Sequence, residues 1–145
     1  MQYEPIKRSV GRFFSGSLFM RKTLYFLLDI LLLRTWHIRK ALREARGILP
    51  DDARILDAGS GFGQYVWRLS RMGRNWKITG VDIDREMIED CRDFFGRAGL
   101  SERVSFREAD LTTFSDPVKY DLILSVDVME HIEDDGSVFR NFRQS

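Results

Sequence analysis

Ile55-Leu56-Asp57-Ala58-Gly59-Ser60-Gly61-Phe62-Gly63 is the stretch from which the rest of the sequence can be read. A short apolar run ends in an acid, three alternate glycines follow, and Gln64-Tyr65-Val66-Trp67-Arg68-Leu69 then has helical character. Strand, glycine turn and helix, in that order, is how an open α/β sheet builds a nucleotide site. Glycine lets backbone approach a ligand where a Cβ would collide. The first turn of a helix offers N–H groups with no partner inside the helix.

Toward the C-terminus the same alternation continues. The first strand is expected over Ala53–Asp57 and its helix to about Met72, with Gly73 and Asn75 as breakers. Trp76–Asp82 predicts a second strand, Arg85–Phe95 a helix closed by Gly96 and Gly99, and Val104–Ala109 an alternating third strand. Tyr120–Val126 is a nearly continuous apolar run suited to a buried central strand, and Asp127, His131 and a short helical stretch to Phe142 follow it. Such alternation implies right-handed crossovers and a parallel sheet, with ligands bound beyond the C-terminal strand ends. Acids stand at those ends: Asp57, Asp82, Asp110 and Asp127. A single acid after a strand reads as a helix cap; four in register point to a site.

Toward the N-terminus the character changes. Residues 1–50 carry ten Lys and Arg against Glu4, Asp29 and Glu44, a net of +7, so a chain of net +1 leaves −6 for residues 51–145. Residues 1–17 read as irregular, with Pro5, Gly11 and Gly16 as breakers and Phe13, Phe14 and Phe19 among basic residues. Residues 18–46 read as one long helix or two abutting ones, stopped by Gly47 and Pro50. The division expected is a basic helical lid or cap over 1–50 and a ligand-binding domain over 51–145. Two readings of the first segment stand side by side: a helix packed over the domain, or a basic, apolar surface through which 1–46 touches a membrane or guides a lipid-like substrate. The apolar run Leu24–Leu33 is interrupted by Asp29 and is shorter than the roughly 20 residues a bilayer needs.

The composition narrows the function classes. Hydrophobic residues at 43% and charged residues at 31% fit a folded chain of one domain's length. A net charge of +1 points to no nucleic-acid partner. Cys91 is the sole cysteine, so no intrachain disulfide forms, and a reducing, cytoplasmic setting is expected. No secretory signal is recognisable, and no Cys/His cluster calls for a metal. The glycine spacing also discriminates. A dinucleotide turn, G-x-G-x-x-G, would place its third glycine at Gln64, and a phosphate loop of the G-x-x-x-x-G-K-[ST] kind is absent. Asp57 would repel a pyrophosphate and suits a ligand with a cationic end. Asp82 can accept hydrogen bonds from ribose hydroxyls, Ile83 can cover a purine face, and Asp110 can meet an exocyclic amine.

These motifs resemble those of the class I S-adenosylmethionine-dependent methyltransferases: Ile55–Gly63, Thr79–Asp84, Glu108–Leu111 and Tyr120–Ile132, in order, over about residues 53–142. The flavour is that of the branch with quinone-biosynthesis and other small-molecule enzymes. The resemblance implies a Rossmann-like three-layer α/β sandwich with a mostly parallel sheet in order 3-2-1-4-5-7-6, preceded here by N-terminal helices. It implies S-adenosyl-L-methionine as cofactor, S-adenosyl-L-homocysteine as product, no metal, and a small-molecule or lipid-like acceptor. It places Asp57, Ala58, Gly59, Ser60, Gly61, Phe62 and Gly63 around the methionine end, Asp82 on the ribose, and Ile83, Asp110 and Leu111 at the adenine. Ser125 and Val126 would line the methionine side, and His131, just past the fourth strand, would be a general base or merely cap the short helix. Strands 5, 7 and 6 have no counterpart before Ser145, which leads to the expectation of a fragment of a longer protein, or of a homodimer through the exposed edge of strand 4. Two other readings remain: a non-catalytic S-adenosylmethionine-binding module, and a nicotinamide (NAD) dehydrogenase, which Gln64 and Asp57 disfavour.

Overall fold

The computed structural model describes residues 17–31 and 33–144, in two compact units, Met1–Leu49 and Pro50–Ser145. The breakers Pro5, Gly11 and Gly16 and the side chains of Phe13 and Phe14 lie outside the described residues. In the first unit, residues 18–46 form two helices, α1 (Leu18–Leu31) and α2 (Leu33–Arg46), which contact each other. Tyr25 and Leu42 are buried, and the Arg21 Nε donates to the Tyr25 hydroxyl at 2.9 Å. Arg43 and Arg46 occupy the last turn of α2, where the helix dipole favours cations. The chain leaves the helix as Gly47 N–H donates to the Glu44 carbonyl and Ile48 N–H to that of Ala45.

The second unit contains β1 (Arg54–Ala58), α3 (Gln64–Met72), β2 (Lys77–Asp82), α4 (Arg85–Arg97), β3 (Val104–Glu108), β4 (Leu122–Leu124), a 3-10 turn at Met129–His131 and α5 (Asp135–Gln144). All strand pairs are parallel, in the order β3-β2-β1-β4. The expected order of the first four strands is therefore found. The first strand reaches one residue further than the sequence indicates, because Ala58 pairs with Val81 before the glycine turn begins.

The fourth strand is much shorter than the run Tyr120–Val126. Leu122, Ile123 and Leu124 pair with Ile55, Leu56 and Asp57. Beyond Leu124 the ladder stops although β1 runs on to Ala58, so Ser125 and Val126 lie outside the strand, and Asp127 takes a left-handed conformation with φ 56°. The run also predicts a buried central strand, whereas β4 lies at the edge of the four-stranded sheet with Leu122, Ile123 and Leu124 only half-buried, because a strand paired on one side alone leaves its other edge open.

Alternation along the strands divides the core into two layers. Ile55, Ile78, Val104 and Phe106 share one face, with Val66 and Leu69 of α3 and Ile88, Cys91, Phe94 and Phe95 of α4 also buried. The Phe95 ring lies 4.9 Å from Phe106, 5.2 Å from Phe94 and 6.1 Å from Trp67. On the other face Leu56, Ala58 and Val81 pack with Leu111, Phe114 and Val138. The segment 109–120 is tied down by a polar knot: Arg107 pairs with the buried Asp116, and the Tyr120 hydroxyl donates to that carboxylate at 2.8 Å.

Phe95, only 1% exposed, joins α4 to the sheet. Phe95→Ala is expected to destabilise the chain by about 3 kcal/mol or more, read as a lower urea midpoint at unchanged slope.

Candidate functional site

The glycine turn is held from three directions. Gly59 N–H and Ser60 N–H both donate to the Val81 carbonyl, at 2.8 and 2.9 Å, which carries the chain over the end of β2. Gly61 N–H donates to Asp82 Oδ2 at 2.8 Å, and Asp84 N–H donates to Asp82 Oδ1 at 3.0 Å. From α4, the Cys91 thiol points at the Gly61 carbonyl at 3.5 Å.

The three glycines have different reasons to be glycine, although all have positive φ. A Cβ on Gly59 would lie 2.1 Å from Val128 Cγ2, and one on Gly63 would lie 2.9 Å from the Phe95 ring. Those two positions are closed by packing from within the protein. A Cβ on Gly61 would meet nothing within 4 Å. The middle glycine, with φ 50°, therefore offers its backbone to open space.

The acids at the strand ends divide their labour. Asp57 is 1% exposed and accepts a hydrogen bond from the Val66 backbone, while its Oδ2 has no partner. Val66 is the third residue of α3, whose N-cap, Gly63, has no side chain to supply. Asp57 thus caps α3 from the neighbouring strand, as a local Asp or Ser at the N-cap would. Burial, then the nearby Asp82 charge, pushes its carboxyl from 3.8 up to about 7. Asp82 is 3% exposed and braces the turn through the two bonds above. Asp110 is exposed and holds its own loop, accepting from Thr112 N at 2.8 Å and Thr112 Oγ1 at 2.7 Å. Asp84, not singled out by the sequence reading, caps α4 by accepting from Met87 N at 3.2 Å.

The remaining expected residues are distributed as follows. Ala58 is fully buried in the core of the sheet, and Phe62 is half-buried in the turn. Ile83 is 43% exposed beside Asp82, which suits an apolar face for a flat ring. The Leu111 side chain packs in the core with Phe114 and Val138. Ser125 and Val126 lie just past β4, and the buried Ser125 Oγ, like that of Ser60, has no partner. His131 ends the 3-10 turn with its side chain 58% exposed and its Nε2 3.5 Å from Glu130 Oε1.

Sequence reasoning missed Val128, whose side chain closes Gly59, and Asn141, whose amide donates to the Leu111 and Thr112 carbonyls. The Asp110-Leu111-Thr112 pattern carried a readable signal for its turn; Val128 and Asn141 carried none. A separate cleft of about 320 Å³, lined by Arg54, Lys77, Thr79, Ser105 and Tyr120, lies at the opposite end of the strands and has no part in this arrangement.

The donor set fits a cationic nucleoside rather than a phosphate ligand. Unpaired carboxylate and hydroxyl oxygens stand at Asp57, Ser60 and Ser125, and open space faces Gly61.

A raised carboxyl pKa carries a sign. The folded chain holds the Asp57 proton better than the unfolded one between about pH 4 and 7, so this group's stabilising contribution is full below its ordinary pKa and is lost as pH rises through about 7. Asp57→Asn should remove that loss. Urea titrations of the ligand-free chain at a series of pH values are expected to show the variant gaining on the wild type by a few kcal/mol from pH 4 to 8.

Comparison with known proteins agrees with this geometry. Residues 55–145 match the family described as "Methyltransferase domain". The chain is 34% identical over 93 residues to "Polyketide synthase ThaQ" of Burkholderia thailandensis, covering 64% of this chain and 4% of that protein. It is 31% identical over 116 residues to a "Ubiquinone biosynthesis O-methyltransferase" of Azorhizobium caulinodans, covering 79% and 42%. Among solved structures, the O-methyltransferase of a trans-AT PKS multienzyme of Brevibacillus brevis, in complex with S-adenosyl-L-homocysteine, superposes with a TM-score of 0.59 at 25% identity, covering 61% and 30%. The chain spans less than half the length of each. With the glycine turn, the acids at the strand ends and the β3-β2-β1-β4 sheet in one unit, the chain belongs to the methyltransferase domain family.

Proposed function

We propose that this chain is the cofactor-binding part of an S-adenosyl-L-methionine-dependent methyltransferase acting on a small-molecule or lipid-like acceptor. The observation that carries the reading is the buried, half-satisfied Asp57 carboxylate beside a glycine turn whose middle residue faces open space. When bound, S-adenosyl-L-methionine supplies a methyl group on a sulfonium, and S-adenosyl-L-homocysteine is the product. Asp57 and Ser125 would hold its ammonium and methionine end, with Ser60, Phe62 and Val126 around it. Gly59, Gly61 and Gly63 shape the backbone there, and Asp82 would take the ribose. Ile83 would cover the adenine, with Asp110 and the Leu111 backbone at its amine edge. A cationic ligand at Asp57 would also keep that carboxyl ionised, removing the cost of its burial.

His131 is the group that would accept a proton from the acceptor. It follows Val128 by three residues, so the contact of Val128 with Gly59 keeps the turn that carries His131 beside the glycine loop. The outer edge of β4 is where a further strand would add, from a longer polypeptide or from a second copy in a homodimer. No helix among the described residues is long and apolar enough to cross a membrane. A cytoplasmic enzyme with no nucleic-acid partner fits the one buried cysteine and the balanced charge. A non-catalytic S-adenosylmethionine-binding module is the second reading.

Calorimetric titration with S-adenosyl-L-homocysteine tests the proposal. Saturable binding is expected, with NAD giving none. Asp82→Ala should weaken it by about a hundredfold or more, the scale of two charge-assisted hydrogen bonds. Because that variant also loosens the turn, Ile83→Ala serves as the milder probe, with a loss of about tenfold at unchanged thermal stability. No binding by the folded wild type would sink the reading. His131→Ala is expected to leave this affinity unchanged and to lower methyl transfer about a hundredfold.

A further inference from the structure

The first unit carries an apolar stripe that nothing in the cofactor reading uses. On α1, Phe19 is 78% exposed, Phe26 62%, Leu27 45% and Met20 36%. Together with Thr23 these positions follow helical spacing and make one continuous exposed face, while Arg21 and Tyr25, on the opposite side, are buried. The one hydroxyl in the stripe is turned inward, since Thr23 Oγ1 donates to the Phe19 carbonyl at 2.9 Å. The stripe thus presents hydrocarbon and aromatic ring with no unsatisfied polar side chain. Lys22 borders it. On α2, Trp36 is 63% exposed and shares a helical face with the exposed Lys40 and Arg43.

Charge selects the occupant. Residues 1–49 hold ten Lys and Arg against three acids. A second copy docking through this face would bring two such units together against their own repulsion. A nucleic acid would find the cations but no use for Leu27 and Met20. An anionic lipid surface uses both features, because apolar side chains enter the acyl boundary while Lys and Arg meet the headgroups, and tryptophan favours that interface. We propose that residues 17–49 form an interfacial membrane-binding unit, with Phe19, Met20, Phe26 and Leu27 inserting into an anionic leaflet and Lys22, Lys40 and Arg43 contacting its headgroups. The unit lies on the surface and does not span it, in keeping with its helix lengths.

Flotation of the full chain with vesicles of phosphatidylglycerol and phosphatidylcholine, beside vesicles of phosphatidylcholine alone, tests this. Binding is expected to the anionic vesicles only, falling as salt rises. The double variant Phe19→Ser, Phe26→Ser should lower it about tenfold or more. Phe139→Ser, which removes an exposed phenylalanine of α5 in the other unit, should leave it unchanged. Circular dichroism of each variant separates lost binding from lost folding. Absence of anionic-vesicle binding by the folded wild type overturns the proposal. Binding indifferent to the double variant overturns it as well. So does a dimer, seen in sedimentation velocity, that the double variant dissolves, since the stripe would then belong to a second copy.

Discussion

The hydrogen bond from the Gly61 N–H to the Asp82 carboxylate ties the turn after β1 to the end of β2, and the candidate site is arranged around it. A loop of three glycines has many conformations open to it, and its entropy opposes any single one. Here one buried acid holds the middle glycine and, through its other oxygen, the N–H of Asp84, the residue that caps α4. Two more donors of the turn meet the Val81 carbonyl. The turn is set by the neighbouring strand, which the parallel pairing of β1 and β2 brings alongside.

The same economy runs through the other acids. A carboxylate at the end of a parallel strand lies close to helix starts and loop N–H groups, so it braces backbone before any ligand arrives. Asp57 caps α3 because Gly63, needed for its fit against Phe95, has no side chain with which to cap its own helix. Asp110 fixes the entrance to the segment that Arg107, Asp116 and Tyr120 then anchor. Structural and ligand-binding roles are not alternatives for these groups, because each carboxylate oxygen has more than one lone pair. Asp57 differs in having an oxygen that its burial leaves without any partner, which makes its ionised form costly.

The two units differ in how they treat apolar surface. Pro50–Ser145 buries large apolar side chains on both faces of the sheet and leaves Ile83 and Phe139 exposed. The described part of Met1–Leu49 leaves phenylalanine, leucine and tryptophan in solvent beside a surplus of cations. Apolar patches of that kind, rimmed by one sign of charge, mark surfaces built for contact.

The sequence by itself determined the architecture of the second unit. Periodic apolar runs, glycine breakers and acids at regular intervals are local patterns, and they suffice for four parallel strands and the helices between them, while the order β3-β2-β1-β4 was implied by the resemblance of the motifs to a known family. It also located the end of the sheet where a ligand would bind, because crossover handedness leaves a parallel sheet no choice in that. Only the tertiary structure decided what each residue at that end does. The extent of β4 depended on where its ladder with β1 stops. The inward turn of Leu111 depended on Phe114 and Val138. The separate roles of Gly59, Gly61 and Gly63 depended on Val128, on open space and on Phe95. Each of these is set by contact with a residue distant in the chain, and a local pattern carries no record of such contacts.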